Sequence, residues 1–333
     1  MLHLTNGDAT RIDETGLAGR LMPWRDVLHE GPVPDGLDLT ELTDMRARFI
    51  ASRGWSKLTE LRQSLAERDA CLRTSAAGDE VVLWFEHDLY DQLQLIQILD
   101  FYARAPRGPK RLSLVCIDRF PGVRSFHGLG QLDPEQLRSL FPSRIFVKVD
   151  QLRLAVRAWC AFRSGTPGPL VELVESAPLD LPFLVPALTR LLQEYPDRRD
   201  GLSRTERTFL NAVDGQRSLG RLFGLQQSTE PTPYLGDLVF ATEYVNVLAA
   251  GMVPLIQLAD GGPLSCAVPT GPASAYWRQV PALTEAGHAV MAGAADRVAL
   301  CGVDRWLGGV RLLGSRLPWR WDRPAARLSI TEA

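Results

Sequence analysis

"VVLWFEHDLYDQLQL", residues 81–95, is the stretch on which the fold turns. Its first five residues are continuously apolar, the pattern of a strand covered on both faces and so of a parallel sheet between helices. From Asp88 the period changes. Leu89, Leu93 and Ile96, with Phe101 beyond them, recur at helical spacing. Glu86, His87 and Asp88 stand at the joint, and Asp91 follows one turn later on the same helix face as Asp88. Charged side chains rarely end against a core without a partner. Asp88 fits the N-cap of the helix, where a carboxylate accepts free backbone N–H groups. That role does not extend to Glu86 and His87.

On either side, strand and helix signals alternate. "LHLTN" is a short strand, "DETGLAGRL" a short helix, and residues 38–68 a long helix broken at Gly54. "PKRLSLVCID" is a second buried strand and "RIFVKVD" a last one. "DPEQLRSLF" is a helix with Asp133 at its N-cap and Pro134 at its first position. Residues 1–150 are therefore expected to form an α/β domain with a Rossmann-like, mostly parallel sheet. Residues 151–200 suggest a helical linker or cover. Residues 201–333 open on a capping box, Ser203 with Glu206, and run helix, helix, helix, strand, which predicts a winged-helix-like α+β domain.

In an open parallel sheet, ligands bind beyond the carboxyl ends of the strands. Three strands here end in polar groups: Asn6, Gly7 and Asp8; Glu86, His87 and Asp88; and Asp118 with Arg119, leading into the loop that holds His127 and Gly128. "PWRDVLHEGPVP", residues 23–34, adds Trp24, Asp26, His29 and Glu30. Asp8, His29, Glu86, His87 and Asp88 are the expected catalytic groups. Asn6, Gly7, Trp24, Asp26, Asp118, Arg119 and Gly128 are the expected ligand contacts. Two plainer alternatives stand beside these: a simple Asn-Gly-Asp turn at 6–8, and a surface loop with a helix-stabilising charge pair at 23–34. Asp8, Glu86, His87 and Asp88 suit a divalent cation, and equally a general-base pair without metal. HExxH, GxGxxG, a Walker A loop and GxSxG are all missing, so no metalloprotease, dinucleotide or serine-hydrolase signature is present.

Composition sets outer bounds. The chain has 333 residues, 45% hydrophobic and 23% charged, as in ordinary globular proteins. Residues 1–150 hold 19 Lys and Arg against 22 Asp and Glu, so this part is no general polyanion binder. The five cysteines are scattered without CxxC, which fits a reducing cytoplasm. The N-terminus lacks the pattern of a signal peptide, and no run is long enough to span a bilayer. Trp306, Trp319 and Trp321 lie among arginines near the C-terminus. That suits phosphate and base contacts, but the near-zero net charge of this half favours tryptophans that anchor a small domain.

"HLTNGD", "WRDVLHEGPV", "LWFEHDLYDQLQL" and "GLGQLDPEQL", in that order, resemble the bacterial family called domain of unknown function 1835. "LTEAGHAVMAG", "DRWLGGVRL" and "WRWD" are similar to the companion region of its long members. The resemblance covers most of the chain, implies that the N-terminal boxes are hallmark positions, and implies no activity. From the strand ends the expectation is an enzyme acting by hydrolysis or group transfer on a phosphorylated or nucleotide-like small molecule. The alternative is a ligand-sensing regulator whose C-terminal domain binds DNA or a protein. The segment "LGDLVFATEYVNVLAA" has no Lys or Arg, which makes it poor material for a major groove, so nucleic acid is not the favoured partner.

Overall fold

All seven residues of strand β3 (Glu80–Glu86) are buried, in the middle of a five-stranded sheet of order β2-β1-β3-β4-β5. The structure, a computed structural model, describes residues 1–251 and 253–330. They divide into two units: one of residues 1–51, 56–189 and 306–310, the other of residues 52–55, 190–305 and 311 onward. The protein is thus mixed α/β with a mostly parallel sheet.

In the first unit, β1 (Leu2–Thr5) pairs in parallel with β2 (Arg20–Pro23) and β3, and β3 in parallel with β4 (Arg111–Ile117). The short β5 (Ile145–Phe146) closes the edge antiparallel to β4. Register sets the geometry of the site. Thr5 lies opposite Trp84 and Glu86 opposite Ile117, so β1, β3 and β4 end at one edge.

The helices α1 (Leu39–Ser52) and α2 (Leu58–Ser75) replace the single long helix expected, with the break around Gly54. Helix α3 (Leu89–Arg104) is buried along most of its length and packs against α5 (Val149–Arg163). Helix α4 (Pro134–Leu140) carries the cap read from sequence, Asp133 Oδ1 accepting from the Gln136 amide at 2.8 Å. On one sheet face, Val82 and Trp84 pack with Ile12, Val115, Phe126 and Leu137. His3 sits in this core, its Nδ1 accepting from Trp84 Nε1 at 3.0 Å, and burial pushes its pKa down.

Two local expectations change. The stretch "DETGLAGRL" is not a helix: a 3₁₀ turn, Ile12–Thr15, ends at Gly16, and the chain then forms β2. "RIFVKVD" gives only a two-residue strand, because α5 already starts at Val149. Residues 151–189 belong to the first unit as α5, α6 (Gly168–Glu175) and the start of α7 (Leu184–Leu192). So do residues 306–310, where the Gly309 amide donates to the Phe162 carbonyl at 2.9 Å. A Cβ at Gly309 would lie 1.8 Å from the Arg163 carbonyl, so only glycine fits there.

The second unit holds α8 (Arg204–Ala212), capped by Ser203 and Glu206 as expected, and α9 (Leu219–Thr229). A further helix spans residues 237–249 and contains a π-helical stretch, Phe240–Val245. The strands Ile256–Leu258 and Pro281–Leu283 then pair antiparallel. Its interior holds a charge network. Glu194 is bonded by Arg190 at 2.7 Å, Arg305 at 3.0 Å and the Tyr244 hydroxyl at 2.9 Å. Burial pushes the Glu194 carboxyl up, but the two guanidiniums outweigh it and hold its pKa well below the carboxylate range. Trp321 is buried and its backbone pairs with residues 196–198, so this tryptophan anchors the unit.

Candidate functional site

Three carboxylates meet where β3 becomes α3. Glu86, Asp88 and Asp91 each offer an oxygen, and these oxygens lie within 4.8 Å of one another. The covalent geometry of the joint explains the meeting. Asp88 leaves the strand in extended conformation and caps α3, accepting from the Asp91 amide at 2.9 Å. Asp91, in the first turn, reaches back and accepts from the Glu86 amide at 2.7 Å. Its other oxygen accepts from the side-chain amide of Asn6, just past β1, at 2.8 Å. Glu86 turns toward the loop after β4, and its Oε1 accepts from the Leu129 amide at 2.5 Å. Gly128 makes that approach possible, since a Cβ there would lie 2.2 Å from Glu86 Oε2.

The cluster is short of positive charge. Glu86 and Asp88 are 5% exposed and Asp91 0%. Among the described residues none of the three pairs with Lys or Arg. Burial first, then the neighbouring Asp91 and Asp88 charges, push the Glu86 carboxyl up to about 10. Burial and Asp91 raise Asp88 well above its ordinary value. Burial pushes Asp91 up to about 7, against the opposing pull of its Asn6 and Glu86 hydrogen bonds. At neutral pH the cluster therefore retains at least one proton, shared among groups that titrate together.

His87 points away from this cluster. It lies between Phe126 and Phe183, ring centroids 6.3 and 6.0 Å away, near Asp118. Burial keeps its imidazole on the neutral side. Gly7, just past β1, has free space beside it: a Cβ there would meet nothing within 4 Å.

The remaining expected residues are placed elsewhere. Asp8 is exposed and pairs with Arg25, and Asp118 pairs with its exposed neighbour Arg119 at 3.0 Å. Asp26 is fully buried against Arg46 at 3.0 Å, and Arg46 also donates to the carbonyls of Val27 and Glu30, both at 2.7 Å. Trp24 is core, bonded to Gln97 at 2.8 Å and covered by the Arg68 guanidinium at 4.2 Å. His29 is buried, 5.9 Å from the Tyr90 ring. The 23–34 segment is thus wired into the fold by buried ion pairs. A cavity of about 830 Å³ lies along the other half of α3, and none of the three carboxylates lines it. Asp91 is the member of the cluster that the strand-end inventory leaves out. Its signal is its position, three residues after an N-cap, from which a side chain reaches back to the strand end.

The chain matches no family model, no curated protein and no solved structure. The likeness to the domain of unknown function 1835 rests on the quoted boxes alone.

Proposed function

We propose that the protein is an enzyme acting by hydrolysis or group transfer on a phosphorylated or nucleotide-like small molecule, with Glu86, Asp88 and Asp91 as its acid–base centre. One observation carries this: three buried carboxylates share a strand-end edge, with no basic partner among the described residues. Groups whose surroundings push their pKa values apart are suited to divide acid and base roles. Glu86 keeps its proton at neutral pH and acts as the acid. Asp88, equally near the surface, is its partner. Asp91 is wholly enclosed and acts on them through its charge. The substrate enters over Asn6 and Gly7, where Gly7 has free space beside it. Membership of the domain of unknown function 1835 and a cytoplasmic setting, consistent with five free thiols, belong to the same proposal.

A divalent cation held by the three carboxylates is the second reading, favoured by the 4.8 Å grouping of their oxygens. An all-oxygen set suits Mg²⁺, Mn²⁺ or Ca²⁺. A regulator built on a Rossmann-like first unit and a winged-helix-like second unit is weaker. The order of three helices and a two-stranded ribbon over residues 204–283 supports the winged-helix comparison. However, Arg305, Arg311, Arg320 and Arg323 all pair with carboxylates of their own unit, which leaves less charge for phosphates.

The test is a panel of phosphomonoesters and nucleotides, with and without Mg²⁺ or Mn²⁺, on the parent, Glu86→Gln and Asp88→Asn. Turnover by the parent that both variants lose, with melting temperatures kept, supports the proposal. Turnover that both variants retain contradicts the assignment of the centre.

A further inference from the structure

We propose a second small-molecule site in the first unit, for an anion that carries a flat ring. It is the cavity of about 830 Å³ bordered by residues 35–39, the start of α1, the end of α2, the second half of α3 and α5. That volume is in the usual range of small-molecule pockets, roughly 300–1,000 Å³. It is separate from the carboxylate edge: Asp91 sits in the first turn of α3, and the cavity takes Gln97, Phe101 and Arg104 from its later turns.

The lining selects the ligand. Trp159 and Leu42 are buried and Phe101 is half-buried, so a flat apolar body finds an aromatic wall. The polar groups are mostly donors. Gln97 has its oxygen engaged by Trp24 Nε1 at 2.8 Å, so it offers a ligand its NH₂ group. Arg73 and Arg107 are exposed at the border, and neither has a carboxylate partner among the described residues; Arg73 bonds only the Thr40 hydroxyl at 2.7 Å.

The acids of the lining are already answered. Asp100 holds Arg104 at 2.7 Å. Asp38 accepts the Thr40 and Glu41 amides at 2.7 and 2.9 Å. Asp35, on the exposed loop, faces the charge of Arg163. Arg163 itself is fixed on the Pro34 and Leu37 carbonyls at 2.7 and 2.8 Å. Two guanidiniums without carboxylate partners beside an aromatic wall fit a phosphate joined to a ring, since arginine matches phosphate with paired donors.

Cys160 lines the same cavity and is exposed, 3.2 Å from the Arg104 guanidinium, so it reports occupancy independently of any activity. The probes are adenosine 5′-monophosphate, adenosine and inorganic phosphate. They are titrated by calorimetry, and Cys160 is labelled by maleimide in a Cys266→Ser, Cys301→Ser background. The expected result is that the monophosphate binds and slows labelling, while adenosine and phosphate each bind at least about tenfold more weakly. Arg73→Ala with Arg107→Ala weakens the monophosphate by about tenfold or more, the scale of one charge-assisted hydrogen bond, at unchanged melting temperature. Glu86→Gln binds it as the parent does. The proposal is overturned if the monophosphate neither binds nor protects Cys160. It is overturned equally if the double arginine variant binds it undiminished, or if Glu86→Gln abolishes binding and so moves the ligand to the carboxylate edge.

Discussion

The side-chain amide of Asn6 donates to Asp91 at 2.8 Å, joining the residue after β1 to the third residue of α3 across the end of the sheet. Asp91 accepts the Glu86 amide with its other oxygen, so one carboxylate ties two strands to a helix. Asp91→Ala leaves the buried Glu86 amide and the half-buried Asn6 side-chain amide without acceptors. Each such group costs about 1–3 kcal/mol. Urea unfolding is expected to show a loss on that scale, and a loss below about 0.5 kcal/mol would show that the link contributes little.

Asp91→Asn keeps an acceptor and removes the charge, and its effect depends on pH. The Asp91 carboxyl moves from an ordinary 3.8 up to about 7 on folding, so between these values the folded state binds more protons than the unfolded. The stability it contributes is full below the unfolded pKa and is lost as pH rises through the folded one. The melting temperature of Asp91→Asn minus that of the parent should therefore climb between about pH 4 and pH 7 and level off above. A difference that is flat across this range contradicts the raised pKa.

Asp26 and Arg46 are each 0% exposed and 3.0 Å apart. Removing one member strands a buried charge, which costs about 3–5 kcal/mol. Asp26→Ala is expected to destabilise by that amount in urea unfolding. Asp8→Ala breaks only an exposed pair with Arg25 and should change stability by less than about 1 kcal/mol. The reverse ranking of the two variants would mean that residues 23–34 are not held as described.

Gly128→Ala places a methyl group where the Glu86 carboxylate lies. The loop must withdraw, and the Leu129 amide loses its acceptor. Glu86 amide-to-solvent hydrogen exchange is expected to change little, whereas the Leu129 amide exchanges faster. Unchanged exchange at Leu129 would show that the loop absorbs the methyl without giving up the bond.

How much of this was legible depended on the range of each interaction. The run at 81–85 announced a buried strand because both of its faces are covered, and Asp88 announced a helix start because a cap is local. β2 was hidden because its four residues are only partly buried and form no apolar run. Asp26 and Arg46 lie 20 residues apart, and nothing in the local spacing of either reveals the pair. Arg190 and Glu194 have the spacing of a surface helix pair, yet both are buried, because Glu230, Tyr244 and Arg305 arrive from far along the chain. The strand-end rule points to the edge where Glu86, Asp88 and Asp91 meet. It does not foresee that Asp8 turns outward to Arg25.

The most direct test of the acid–base centre is a pH titration of the side-chain carboxyl carbons by carbon-13 NMR, comparing the parent with Glu86→Gln. One carboxyl is expected to stay protonated above pH 7 and to be missing from Glu86→Gln, and a second to titrate near pH 7 and to move when Glu86 is replaced. If every carboxyl of the parent ionises below about pH 5, the range of unperturbed Asp and Glu, the three carboxylates do not share protons and the proposed centre is wrong.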